Sequence, residues 1–324
     1  MDVSKLNEVT ATREVAVERP RRMTMAKVTK GPVLQAPRVL LYGAEGIGKS
    51  TFASGAPAPI WLGELGTQHL DVSRFPAIER WQDVLDAIHT LTEENHDRKT
   101  LVIDGLAEIE GHIWQHLCAA NKWANIEHLD YGKGYIAAVD EWRRLVFALE
   151  RLHQKKDMGI VLIGHSVVKQ TRPPEGEAYD KHVLTIHDKA AGLLRRLVDY
   201  VLFAQIPVTT VKGADKRVRG KTDGVRLFHA QPSATFDAKS RPSLPTPLPL
   251  SWEAFASARA THDPAHRVAR AAETMANIKT LLAELGDEAT ARKVLAHTSS
   301  LAPGDVERFE EVENALKAKM EQSK

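Results

Sequence analysis

Apolar and polar positions follow two rhythms along this chain. Arg38-Val39-Leu40-Leu41-Tyr42 is a short, nearly unbroken apolar run. Similar runs recur at Pro59-Ile60-Trp61-Leu62, Thr100-Leu101-Val102-Ile103, Gly159-Ile160-Val161-Leu162-Ile163 and Tyr200-Val201-Leu202-Phe203. A run with no polar face marks a strand covered on both sides. Between the runs lie helical spacings over Lys49 to Ser54, Trp81 to Leu91, Leu106 to Asn121 and Tyr135 to Gln154. In the last of these, Val139, Trp142, Leu145, Val146, Leu149 and Leu152 recur at i+3 and i+4. Strand and helix in alternation predict an α/β fold with a mainly parallel central sheet.

Both ends depart from this rhythm. Residues 1–31 hold seven basic and four acidic residues with no apolar period, and read as a flexible basic arm. After residue 205, Val208 to Val211 and Val225 to His229 flank a polar, basic stretch, which predicts an appended hairpin. Asp263-Pro264 supplies an N-cap and a first-turn proline, and Gly286 and Pro303-Gly304 then divide the tail into two or three helices. The expected division is an arm over 1–31, a core over 32–260 and a helical domain over 261–324.

Composition narrows the class. The 324 residues carry 44 Lys+Arg against 42 Asp+Glu, a net charge of +2, which excludes a purely electrostatic nucleic-acid binder. The single cysteine, Cys118, excludes an internal disulfide framework and a thiolate zinc cluster, and suits a reducing cytosol. No segment approaches the roughly 18 consecutive apolar residues of a membrane span. The N-terminus has no apolar signal-peptide core. A soluble cytoplasmic protein is the expectation.

The chemistry concentrates after the first strand. Gly43-Ala44-Glu45-Gly46-Ile47-Gly48-Lys49-Ser50 fits G-x-x-x-x-G-K-[ST] in full, between an apolar strand and a helix. Glycines let the backbone N–H groups wrap a phosphate, Lys49 faces the β and γ oxygens, and the Ser50 hydroxyl completes a Mg²⁺ shell. Thr51 falls beside the α-phosphate. Asp104 ends the strand Leu101-Val102-Ile103, at the sheet edge where open α/β sheets bind ligands, and reads as the second magnesium ligand. Position 105 is Gly, so a catalytic base must come from elsewhere. Glu64, beyond Ile60-Trp61-Leu62, is the candidate for orienting the attacking water. His165, with Ser166, ends the strand Ile160 to Ile163 and brings a hydrogen-bonding group to the γ-phosphate. His112 and His116 have metal-pair spacing, but the Glu of H-E-x-x-H is missing and the helix reads as structural.

In this order, the motifs resemble the RecA-like P-loop ATPase core, and more narrowly the short phage-encoded Sak-type proteins of single-strand annealing and recombination. The resemblance covers about residues 32 to 260. It rests on Gly43 to Thr51, on Glu64-Leu65-Gly66-Thr67 with Asp71-Val72-Ser73-Arg74-Phe75-Pro76, on Tyr131-Gly132-Lys133-Gly134-Tyr135 and on Ala238-Lys239-Ser240-Arg241. Gly63 stands where related proteins often have an acidic residue. The resemblance implies ATP and Mg²⁺ as cofactors, Glu64 as the water-activating carboxylate and His165 as the γ-phosphate sensor. It implies that Lys239 and Arg241 reach the ATP site of a neighbouring subunit in a homo-oligomer. Single-stranded DNA, with a single-strand-binding protein as a further partner, and a bacterial or phage-infected cytosol complete the expectation.

Two segments are candidates for DNA contact. The stretch Val168 to Glu177, with Lys169 and Arg172, follows the sensor strand and reads as a Pro/Gly-punctuated loop. The hairpin region from 212 to 226 holds Lys212, Lys216, Arg217, Arg219, Lys221 and Arg226 against Asp215 and Asp223. Trp123, Tyr131, Tyr135 and Tyr179 are candidate base-stacking residues. Two rivals remain: an ATP-switched assembly module that grips a protein partner with its helical tail, and a P-loop kinase, which would need an acceptor pocket and lid.

Overall fold

Each apolar run becomes a strand of one sheet in the computed structural model, which describes residues 24–63, 68–212 and 218–322. The parallel strands are β1 (Arg38–Gly43), β2 (Pro59–Gly63), β3 (Ser73–Arg74), β4 (Thr100–Asp104), β5 (Gly159–Thr171) and β7 (Tyr200–Gln205). Antiparallel strands β6 (Tyr179–Leu184), β10 (Leu227–His229), β11 (Lys239–Ser240) and β12 (Leu248–Pro249) extend it. The order β12-β10-β7-β1-β5-β4-β2-β3 sets β5 between β1 and β4.

The runs are continuous because alternate residues enter two different cores. Leu40, Tyr42, Leu101, Ile103, Ile160, Leu162, Val201 and Phe203 face one side. There they meet α2 (Trp81–Glu93), α3 (Leu106–Asn121), α4 (Lys133–Lys156) and α5 (Asp188–Leu197) through Trp81, Ile113, Trp142, Leu149 and Leu194. Val39, Leu41, Val102, Val161, Leu202 and Ala204 face the other side and meet α1 (Lys49–Ser54) and α6 (Trp252–His262) through Phe52, Trp252 and Phe255. With helices on both faces, the central runs of β1, β4, β5 and β7 keep no polar side.

Three expectations change. β5 does not end at Ile163 but runs on to Thr171 and pairs with β6 in the register Ser166↔Leu184 to Thr171↔Tyr179. The first four residues of the expected loop Val168 to Glu177 are therefore one arm of a hairpin, and the rest belong to its turn, which spans 172–178. β-Branched Val167, Val168 and Thr171, registered against Val183, His182 and Tyr179, favour pairing over an open loop. The appended hairpin also changes partner: β8 (Thr209–Lys212) pairs with β9 (Val218–Lys221), whereas 227–229 joins the main sheet as β10 beside β7. Finally, α6 precedes Asp263, started by Ser251, whose hydroxyl accepts from the Ala254 N–H at 3.1 Å.

The tail forms α7 (Pro264–Leu285), α8 (Glu288–Ser299) and α9 (Val306–Gln322). Asp263 caps α7 by accepting from the Ala265 N–H, and Gly286 ends it at φ 66°. Ala271, Ile278, Leu282, Val306, Phe309 and Leu316 make a small core of their own. The chain divides into two units between residues 32 and 33, and of the first only 24–32 are described. In the first, Met25–Lys27 makes one exposed 3-10 turn. Among the described residues no helix is long and apolar enough to cross a membrane.

Candidate nucleotide-binding site

The loop after β1 has the backbone that a phosphate cradle requires. Gly46 and Gly48 take φ of 69° and 106°, left-handed values that a side chain would strain. At Gly43 an added Cβ would lie 2.3 Å from the Ala204 carbonyl oxygen, so the start of the loop is pressed against β7.

Lys49 is only 5% exposed. Its ammonium donates to the Gly43 and Ala44 carbonyls at 3.2 and 2.8 Å and lies 3.3 Å from His165 Nδ1. None of these partners carries a negative charge to match it. Burial pushes the ammonium below the ordinary lysine pKa, against the opposite pull of Asp104 and Glu45. A buried cation held by neutral groups is stabilised by an incoming anion.

Sheet order assembles the rest. Gly43 is registered beside His165, and Asp104 beside Ile163, so the ends of β1, β5 and β4 meet at one edge. There the Ser50 hydroxyl donates to Asp104 Oδ2 at 2.7 Å, joining the two expected magnesium ligands through 54 residues of sequence separation. Such an oxygen pair fits the hard-ligand preference of Mg²⁺. The cleft, about 340 Å³, is lined by Glu45, Gly46, Gly48, Lys49, Ser50, Thr51, His69, Asp104, His165 and Arg226. Ile47 of the same loop is buried and anchors it in the core beneath.

The AAA domain family matches residues 35–242, which is more than half of the chain and includes every strand from β1 to β11. The chain belongs to this family. No curated protein matches it. The AAA domain thus places a P-loop ATPase core where the loop, the buried lysine and the Ser50–Asp104 pair were found.

The other expected residues of this AAA-domain chain are placed unevenly. β2 ends at Gly63, registered beside Asp104; Glu64 lies outside the described residues. Lys239 departs from expectation. Its ammonium donates to the carbonyls of Arg195 and Val198, capping the end of α5 instead of projecting as a finger. Its desolvation there depresses its pKa. Arg241 is exposed, and its backbone N–H donates to the Asp199 carbonyl. Both sit at the start of β7, the end of the sheet opposite the cleft.

Of the DNA candidates, Lys169 lies on β5 and pairs with Asp188 at 3.2 Å, and Arg172 is exposed in the turn that follows. Arg219 and Lys221 are exposed on β9, Lys212 belongs to β8, and Lys216 and Arg217 lie outside the described residues. Tyr135 stacks on the His187 ring at 5.1 Å, whereas Tyr131 is 95% exposed. The sequence reading missed two residues of the cleft, His69 and Arg226. Arg226 was counted among the hairpin charges, and only the pairing of β10 with β7 shows where it goes.

Proposed function

We propose that this chain is a Mg-ATP-dependent ATPase that binds single-stranded DNA and acts in recombination or annealing, in the manner of the phage Sak-type proteins it resembles. The observation that carries the nucleotide reading is the meeting of Ser50 and Asp104 at 2.7 Å beside the buried ammonium of Lys49. ATP would be held by the Gly43 to Thr51 loop and Lys49, and magnesium by Ser50 and Asp104; the metal would neutralise charge on the transferring phosphate. His165 offers a hydrogen bond at the γ-phosphate side and Glu64 the base for the attacking water.

What supports a DNA role is the attachment of the β5–β6 hairpin to the sensor position. Thr185 donates through both its N–H and its hydroxyl to the His165 carbonyl, at 2.9 and 3.0 Å, so the foot of the hairpin is tied to the residue facing the nucleotide. A change at His165 is therefore transmitted to an exposed, partly basic hairpin. The exposed cations of β9 add a second surface for a phosphate backbone.

The test is ATP hydrolysis with and without single-stranded oligonucleotide, in the wild type and in Glu64→Gln. Turnover is expected to rise several-fold with DNA, and Glu64→Gln to bind ATP without turning it over. Nucleotide binding without hydrolysis or oligonucleotide affinity would instead establish the ATP-switched assembly module.

A further inference from the structure

Arg226 is the residue whose position most changes its meaning. Its guanidinium reaches the phosphate loop: Nη1 lies 3.3 Å, and Cδ 3.8 Å, from the point where Gly48 would carry a Cβ. It lines the same cleft as Lys49, Ser50, Asp104 and His165. Its backbone is fixed by the sheet. The Arg226 carbonyl accepts from the Leu250 N–H at 3.0 Å, and the next residue, Leu227, is registered against both Gln205 and Pro249.

Among the described residues no carboxylate pairs with Arg226, although Arg38, Arg80, Arg143, Arg151, Arg195 and Arg259 all have acidic partners. The nearest acid in sequence, Asp223, accepts from the Val225 N–H and closes the turn before it. An arginine brought over a phosphate loop with no carboxylate paired to it among the described residues is suited to phosphate oxygens, which it can contact through two N–H groups at once.

Strand order indicates which part of the nucleotide it meets. From β1, His165 and Asp104 lie toward β5 and β4, whereas Arg226 enters from the opposite side, ahead of β10 and beyond β7. We infer that Arg226 is a phosphate ligand supplied by the same chain, holding the nucleotide on the Gly48 side, away from the terminal phosphate. This rests on the nucleotide site proposed above. A contact on that side is made equally to di- and triphosphate, so it adds affinity without favouring turnover.

The experiment is calorimetric titration of the full chain with MgATP and MgADP in wild type, Arg226→Ala, Arg226→Lys and Lys49→Ala, with melting of the nucleotide-free proteins. Arg226→Ala is expected to weaken ATP and ADP alike by roughly 10- to 100-fold, the range for a hydrogen bond to a charged group. Arg226→Lys should restore part of the loss, and the nucleotide-free melting temperatures should match because the side chain is exposed. The inference is overturned if Arg226→Ala binds both nucleotides like wild type while Lys49→Ala does not. It is also overturned if only ATP is weakened, or if Arg226→Ala loses oligonucleotide affinity with nucleotide affinity intact. A wild type that binds neither nucleotide removes the phosphate-site reading itself, a separate result.

Discussion

Gly63 shows how one position constrains the site. It has φ 147°, and an added Cβ would fall 1.6 Å from the Asp104 carbonyl oxygen. A side chain has no room here, because Gly63 of β2 lies directly beside Asp104 of β4. Gly63→Ala must push the two strands apart. Overpacking of this kind costs about 1–3 kcal/mol, so the variant should melt several degrees lower and bind MgATP more weakly than the wild type. Melting like the wild type would show that the strands separate at no cost. At this scale Lys49, Ser50 and Asp104 were legible because a contiguous motif and a strand end announce them. Arg226 was not legible, since its neighbour Gly48 is 178 positions away and nothing local marks the approach.

Among the elements, strands covered on both faces were the clearest in the sequence, because a short apolar run with no polar face suits a buried strand and little else. β5 was harder to read: past His165 it leaves the covered sheet, its residues become exposed, and only the pairing with β6 keeps it extended. Lys239 shows the same limit. The pattern Lys-x-Arg suggested a projecting pair, while the carbonyl groups that hold the lysine belong to the far end of α5. Lys239→Ala uncovers those carbonyls and removes a cation from a helix C-terminus, at a cost of about 1–2 kcal/mol. For a protein of this size that lowers the melting temperature by roughly 2–4 °C per kcal/mol. A nucleotide-free melt identical to wild type, combined with lost turnover, would restore the finger role.

For the whole molecule, Arg241 poses the question of assembly. It is exposed at the end of the sheet opposite the cleft, so contact with an ATP site requires that site to belong to another copy. Arg241→Ala mixed with Lys49→Ala, each inactive alone, should regain part of the activity, because an intact Lys49 site can then meet an intact Arg241. Mixed oligomers that stay inactive would make Arg241 a surface residue. The sequence alone determined the parallel α/β core, the phosphate loop and the helical tail, because hydrophobic period, glycine conformation and capping act over a few neighbouring residues. Tertiary structure alone decided that His165 stands beside Lys49, that Ser50 meets Asp104, that Lys239 is consumed by α5 and that Arg226 reaches the loop. Each of these depends on strand order and register, which bring together segments tens to hundreds of residues apart and leave no local signal in the chain.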